Sequence, residues 1–119
     1  MATASSSEEV SELLDWALAQ GITVIPYGGG TSVAGHINPP DGDAPVLTLS
    51  LAAMDQLMDL DTQSQIATFG AGTPGPKVEQ QLRERGYMLG HFPQSWELST
   101  IGGGVASRSS GQQSMRYRR

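Results

Sequence analysis

Two glycine triplets constrain this chain more than any other feature. Gly28-Gly29-Gly30 follows directly on the β-branched run Ile22-Thr23-Val24-Ile25, and Gly102-Gly103-Gly104 follows a stretch rich in hydroxyls. Three adjacent residues without Cβ atoms let the backbone curl tightly, so that its N–H groups converge on one point and a ligand comes within hydrogen-bond reach. Ile22 to Ile25 reads as a strand stopped by Pro26, which delivers the chain into Tyr27-Gly28-Gly29-Gly30-Thr31-Ser32. Thr31 and Ser32 add side-chain donors to a concavity that suits a diphosphate, an acceptor-rich group whose charge backbone dipoles can satisfy without a lysine. The plainer alternative is a flexible turn between strands.

Established phosphate and nucleophile motifs fail at this loop. A Walker A reading from Gly30 to Gly35 meets His36 where lysine is required. A dinucleotide fingerprint from Gly28 has Val33 in place of its third glycine, and Asn38-Pro39-Pro40 interrupts the helix that should follow. Ser32 is followed by Val33 and Ala34, so it is not a nucleophile elbow.

The second loop runs from Tyr87 to Gly111 and contains His91-Phe92-Pro93-Gln94-Ser95 and Ser99-Thr100-Ile101-Gly102, entering a short helix through Val105 and Ala106. Ser95, Ser99, Thr100, Ser107, Ser109 and Ser110 make it a second source of donors, and two such loops together could close over an extended ligand. Ordinary solvated loop is the alternative. Trp96 reads as the anchor of its loop, with packing against a planar ligand as the alternative, Trp16 as core, and His36 and His91 as structural hydrogen-bonders, because no carboxylate is spaced to form a relay with either.

The remaining elements follow from period and punctuation. Ser6 and Glu9 have capping-box spacing, and Val10, Leu13, Leu14, Ala17 and Leu18 form one apolar stripe of a helix that Gly21 ends. Val46 to Leu49 reads as a strand, Leu51 to Leu57 as one helical turn, and Met58-Asp59-Leu60 and Gln65 to Phe69 as weaker strands. A second helix opens with Thr73 as cap and Pro74 at its first position, turns Val78 and Leu82 the same way, and ends at Arg83 to Gly86.

Composition excludes several classes of function. Without cysteine there is no disulfide, thiolate metal site or cysteine nucleophile, and two histidines leave little to hold a transition metal. A net charge of −5 argues against a nucleic-acid surface. No apolar run is long enough for a membrane span and MATASSSEEV is no signal peptide, so the chain reads as soluble and cytoplasmic. All 12 acidic residues lie at or before Glu97, whereas Arg108, Arg116, Arg118 and Arg119 make the end basic and favourable to an anion.

Pro26-Tyr27-Gly28-Gly29-Gly30-Thr31-Ser32-Val33, followed by Gly90-His91-Phe92-Pro93-Gln94-Ser95-Trp96-Glu97-Leu98-Ser99-Thr100-Ile101-Gly102-Gly103-Gly104 and then Ser107-Arg108-Ser109-Ser110-Gly111, resembles the FAD-binding domain of the vanillyl-alcohol oxidase / p-cresol methylhydroxylase flavoproteins. Within that family it is most similar to the branch of alkyldihydroxyacetonephosphate synthase and the FAD-linked D-2-hydroxyacid dehydrogenases. The resemblance implies an α+β fold of two small lobes, the first at about 6–60 and the start of the second at about 61–119, incomplete at the C-terminal end, with a parallel unit packed on an antiparallel sheet and FAD between them. It implies that Pro26, Tyr27, Gly28, Gly29, Gly30, Thr31 and Ser32 cradle the FAD diphosphate, noncovalently. By the same match Pro93, Gln94, Ser95, Ser99, Thr100, Gly102, Gly103, Ser107, Ser109 and Ser110 line the path of the ribityl chain and flavin.

The family's Arg-Tyr-Gly turn is here Arg116-Tyr117-Arg118-Arg119, and no substrate-binding cap follows. The chain therefore reads as an incomplete copy, with a small-molecule substrate expected for the full-length enzyme and no catalytic residue assigned. Its expected role is the FAD-binding portion of an oxidoreductase acting on a 2-hydroxyacid-like substrate. The alternatives are part of an alkyldihydroxyacetonephosphate synthase-like enzyme, or a domain remnant binding FAD weakly or not at all.

Overall fold

The computed structural model describes residues 1–111 of the chain. Arg116, Tyr117, Arg118 and Arg119 lie outside the described residues. Strand β1 (Ala2–Thr3), helix α1 (Ser7–Gln20), strand β2 (Thr23–Tyr27) and strand β3 (Val46–Ser50) form a first unit, whose three strands are all parallel in the order β1-β3-β2. Strands β4 (Leu57–Asp61) and β5 (Ile66–Phe69) form a separate antiparallel hairpin, followed by helices α2 (Gly75–Arg83) and α3 (Ile101–Ala106). The architecture is α+β. The expected lobe boundary near residue 60 falls within β4.

Local chemistry sets both ends of α1. The Ser6 hydroxyl accepts from the Glu9 N–H at 3.2 Å, satisfying one orphan donor of the first turn. The Glu9 carboxylate reaches back one residue further than a capping box requires, accepting from the N–H of Ser5 at 2.7 Å and from its hydroxyl at 3.0 Å. These bonds, the backbone one foremost, hold the Glu9 carboxyl below its ordinary range. Gly21 ends the helix in the left-handed region, φ +67°, and the Ile22 N–H closes back on the Ala17 carbonyl at 2.9 Å.

The apolar stripe of α1 is only partly used. Ala17 is buried beneath the sheet, but Leu18 is 82% exposed and Trp16 is 52% exposed. Trp16 is therefore not the core residue its sequence context implies, because α1 rests on a small three-stranded sheet with room for little more than its Ala17 side. Ala4, Ile25 and Leu49 complete this part of the core.

Pro26 does not stop β2. The Thr23 N–H donates to the Pro45 carbonyl and the Leu51 N–H to the Tyr27 carbonyl, so odd-numbered residues of β2 face β3. Pro26 falls between them, with its missing N–H toward the free edge, where an edge strand loses no ladder bond.

The stretch from Leu51 to Leu57 is a turn rather than a helical turn. The Met54 N–H closes on the Leu51 carbonyl at 2.9 Å, and Leu57 already belongs to β4. Lys77 of α2 pins this turn through the Asp55 carboxylate at 2.6 Å, and that bond leads the causes holding the Asp55 carboxyl below its ordinary range. Pro74, not Thr73, is the N-cap of α2. The Thr73 hydroxyl is fully buried and donates backwards to the Gly70 carbonyl at 2.7 Å, which closes the turn ahead of the helix. Val78 and Leu82 are the buried face of α2, and an apolar hollow of about 680 Å³ lies between the hairpin, α2 and α3, lined by Phe69, Leu82, Met88 and Ile101 among others.

Candidate functional site

The parallel sheet ends at Tyr27, and the chain beyond it has little side-chain bulk with which to fill space. Gly30 takes φ +68°, a conformation open to glycine at little cost, and turns the loop over the Tyr27 ring. The backbone N–H groups of Gly28, Gly29, Gly30, Thr31 and Ser32 find no acceptor among the described residues. Buried or half-buried N–H groups are almost always paired in folded proteins, so a run of unpaired donors on a half-buried loop is a cradle for an acceptor-rich ligand.

The second loop comes directly against this cradle. A Cβ on Gly29 would enter the Leu98 carbonyl, and one on Gly28 would strike the Thr100 hydroxyl. The Thr31 and Ser99 hydroxyls lie 3.2 Å apart in a hydrogen bond spanning 68 residues of sequence. Gly28, Gly29, Thr31, Ser99 and Thr100 therefore share one location.

A third segment, Gly70 to Pro74, joins them. The Gly75 N–H donates to the Ser99 carbonyl at 3.1 Å, Ile101 N–H to Thr73 at 2.9 Å and Gly102 N–H to Ala71 at 2.9 Å. The sequence marks Thr73 and Pro74 here only as the opening of a helix. The available signal was the alternation Gly70-Ala71-Gly72, which permits close backbone approach on one side, here to the carbonyls of Met54 and Leu51.

Other expected site residues lie further along. Gln94 and Ser95 are exposed on the turn that starts at Pro93, where the Ser95 carbonyl accepts from the N–H groups of Leu98 at 3.0 Å and Ser99 at 2.8 Å. Gly102 and Gly103 are in α3, whose N-cap hydroxyl, on Thr100, accepts from the Gly103 N–H at 3.4 Å. The Ser107 hydroxyl donates to the Gly103 carbonyl at 2.7 Å. Ser109 bonds the His91 ring at 2.8 Å, and Ser110 is exposed. Ser107 is the C-cap of α3, roughly 10 Å along its axis from Thr100, whereas the Ser109 hydroxyl folds back beside Gly104. His36 is exposed, and Arg108 holds a left-handed backbone, φ 51°. Trp96 packs edge-on against Phe92, with centroids 5.1 Å apart, and covers Gly75.

Among the described residues no group of histidines and carboxylates could hold a metal ion, and no helix is long and apolar enough to cross a membrane. The donor-lined cradle and the small-residue ridge opposite fit a nucleotide-type ligand. A family model described as FAD binding domain matches residues 1–119. The chain belongs to the FAD-binding domain family. FAD is the cofactor such a domain serves.

Alkyldihydroxyacetonephosphate synthase of Dictyostelium discoideum is 37% identical over 112 residues, covering 94% of this chain and 18% of that protein. The FAD-linked oxidoreductase YgcU of Escherichia coli K12 is 38% identical over 112 residues, covering 94% and 23%. A solved alkyldihydroxyacetonephosphate synthase superposes with a TM-score of 0.93 at 36% identity, covering 97% of this chain and 22% of that one. The chain thus spans about a fifth of the length of the relatives it matches.

Proposed function

We propose that this FAD-binding domain serves a flavin-dependent oxidoreductase, and that residues 26–32 cradle the cofactor's diphosphate noncovalently through backbone amides. The observation that carries this reading is the set of unpaired N–H groups from Gly28 to Ser32, held against Leu98 to Thr100. Hydrogen bonds from neutral amides to an anionic oxygen are charge-assisted and roughly twice as strong as neutral ones. The Thr31 and Ser99 hydroxyls, already paired, extend the donor row across both loops. From there the cofactor follows segments 93–95, 99–103 and 107–110, which offer hydroxyls and glycine surface along the length of α3. Two lobes flank it, one built on the parallel sheet and the other beginning with the β4–β5 hairpin.

Bound FAD supplies a hydride-accepting ring, while the protein supplies placement and electrostatics. In the whole enzyme the substrate is a 2-hydroxy acid. A second reading, an alkyl-transferring enzyme acting on a phosphorylated ketone, is favoured by the likeness to alkyldihydroxyacetonephosphate synthase. The two separate by anaerobic addition of a 2-hydroxy acid to the whole flavoprotein, which bleaches the flavin absorbance under the first and leaves it under the second.

The diphosphate claim is tested by titrating the chain with FAD and with riboflavin, followed by flavin fluorescence. FAD is expected to bind at least about tenfold more tightly, because only it carries the group that the amides recognise. Equal affinities, or no binding of either, contradict the reading.

A further inference from the structure

The 89–99 loop carries Leu98 and Ser99 to the glycine cradle, and both of its ends are fastened to α2. At its close, the Gly75 N–H donates to the Ser99 carbonyl at 3.1 Å. At its start, the Glu79 side chain Oε1 accepts from the N–H of Leu89 at 2.9 Å and of Gly90 at 3.2 Å. Gly75 and Glu79 stand one helical turn apart, roughly 6 Å along the axis, so α2 is the ruler against which the loop is measured.

Glu79 is only 7% exposed and sits beside the fully buried Val78. Burying a carboxylate is costly unless its oxygens are satisfied, and here one oxygen takes two adjacent backbone donors that the loop, lacking regular structure, cannot satisfy itself. Leu89 and Gly90 lead straight into His91, which holds Ser109, and Phe92, whose ring meets Trp96. Beside the backbone bond from the Tyr87 N–H to the Leu82 carbonyl at 2.9 Å, Glu79 is thus the side chain that holds the start of the 89–99 loop.

We propose that Glu79 is a positioning residue for the cofactor: by binding the Leu89 and Gly90 amides it sets the register of the 89–99 loop, and so the placement of Leu98 to Thr100 against the glycine triplet. This rests on the proposed FAD cradle, but the register itself is measurable without FAD. The side chain's role is that of an acceptor oxygen, so Glu79→Gln, which keeps a carbonyl at Oε1, rescues most of it, and Glu79→Leu does not.

The test pairs two measurements on the full chain. In the first, FAD titration is followed by visible circular dichroism, which reports the surroundings of the bound flavin. Glu79→Gln is expected to stay within about threefold of the native affinity with an unchanged spectrum, and Glu79→Leu to weaken binding about tenfold with an altered one. Native-like binding by Glu79→Leu, or equal losses in both variants, overturns the proposal. In the second, amide hydrogen exchange is read at Leu89 and Gly90 without ligand. Protection is expected to fall about tenfold or more in Glu79→Leu and less in Glu79→Gln, and unchanged protection in Glu79→Leu overturns the proposal. If the native chain binds no FAD, the cradle reading fails while the exchange result still decides the role of Glu79. If Glu79→Leu does not fold, Glu79→Ala, which removes the acceptor without filling its place with branched bulk, takes its place in the exchange comparison. A loss of protection in that variant local to Leu89 and Gly90 supports the proposal, and none overturns it.

Discussion

The two glycine triplets are identical in sequence and opposite in use. In Gly28-Gly29-Gly30 no backbone N–H finds an acceptor among the described residues, and the loop lies against carbonyls and hydroxyls of the second loop. In Gly102-Gly103-Gly104 every N–H is spent, on the Ala71 carbonyl, the Thr100 hydroxyl and the Thr100 carbonyl, within a helix capped by Thr100. The difference lies in what precedes each. An edge strand ending at Tyr27 leaves the first triplet without a helical start, whereas Thr100 and Ile101 nucleate a turn that the second triplet continues despite its poor helix propensity. A glycine run is thus a cradle only where nothing local consumes its amides.

This contrast breaks most sharply at Gly29. A methyl group there enters the Leu98 carbonyl, a backbone atom with no freedom to swing away. Gly29→Ala is expected to cost about 3 kcal/mol in urea unfolding and to abolish measurable FAD binding. A stability loss below about 1 kcal/mol would mean that the two loops are not in contact.

Gly30→Ala is the next largest. Its φ of +68° strains any L side chain by about 1–2 kcal/mol, and the new methyl meets the Tyr27 ring end, which is able to shift. The same denaturation experiment on a Tyr27→Ala background sharpens this, because the backbone strain persists once the ring is gone.

In the helical triplet the same change is expected to be nearly silent. Gly103→Ala gains up to about 1 kcal/mol of helix propensity, offset by a Cβ contact of 3.3 Å with the Thr100 hydroxyl, and thermal melting is expected to move by no more than about 4 °C either way. A loss comparable to that of Gly29→Ala would erase the distinction between the triplets.

The smallest effect concerns acid, away from both triplets. The Asp55 carboxyl is held low chiefly by its bond to Lys77, so its stabilising contribution is present above the ordinary aspartate range and is lost as pH falls through the lowered value. Melting temperatures across that range are expected to fall slightly less steeply in Lys77→Met than in the native chain. Identical slopes would show that this half-buried pair contributes nothing.

Much of this was legible in advance, and the rest has physical causes. Caps and turns are written in adjacent residues, so Ser6 and Gly21 mark α1 correctly. The exposure of Trp16 was not, because an apolar stripe says which residues share a face and not how wide the partner surface is. Pro26 inside β2 depends on which neighbour the strand lacks, a property of the sheet and not of the residue. At the site, the glycine and hydroxyl clusters were visible as composition. The Gly70 to Pro74 segment and the Glu79 anchor were not, since their roles lie in backbone bonds to distant residues.

Backbone amide chemical shifts of the labelled chain during titration with FAD test the central claim most directly. The account expects the largest changes at Gly28, Gly29, Gly30 and Thr31, with smaller ones at Gly102, Gly103 and Gly104, whose amides already have acceptors. Changes centred on Gly102 to Gly104, with Gly28 to Thr31 unmoved, would contradict it.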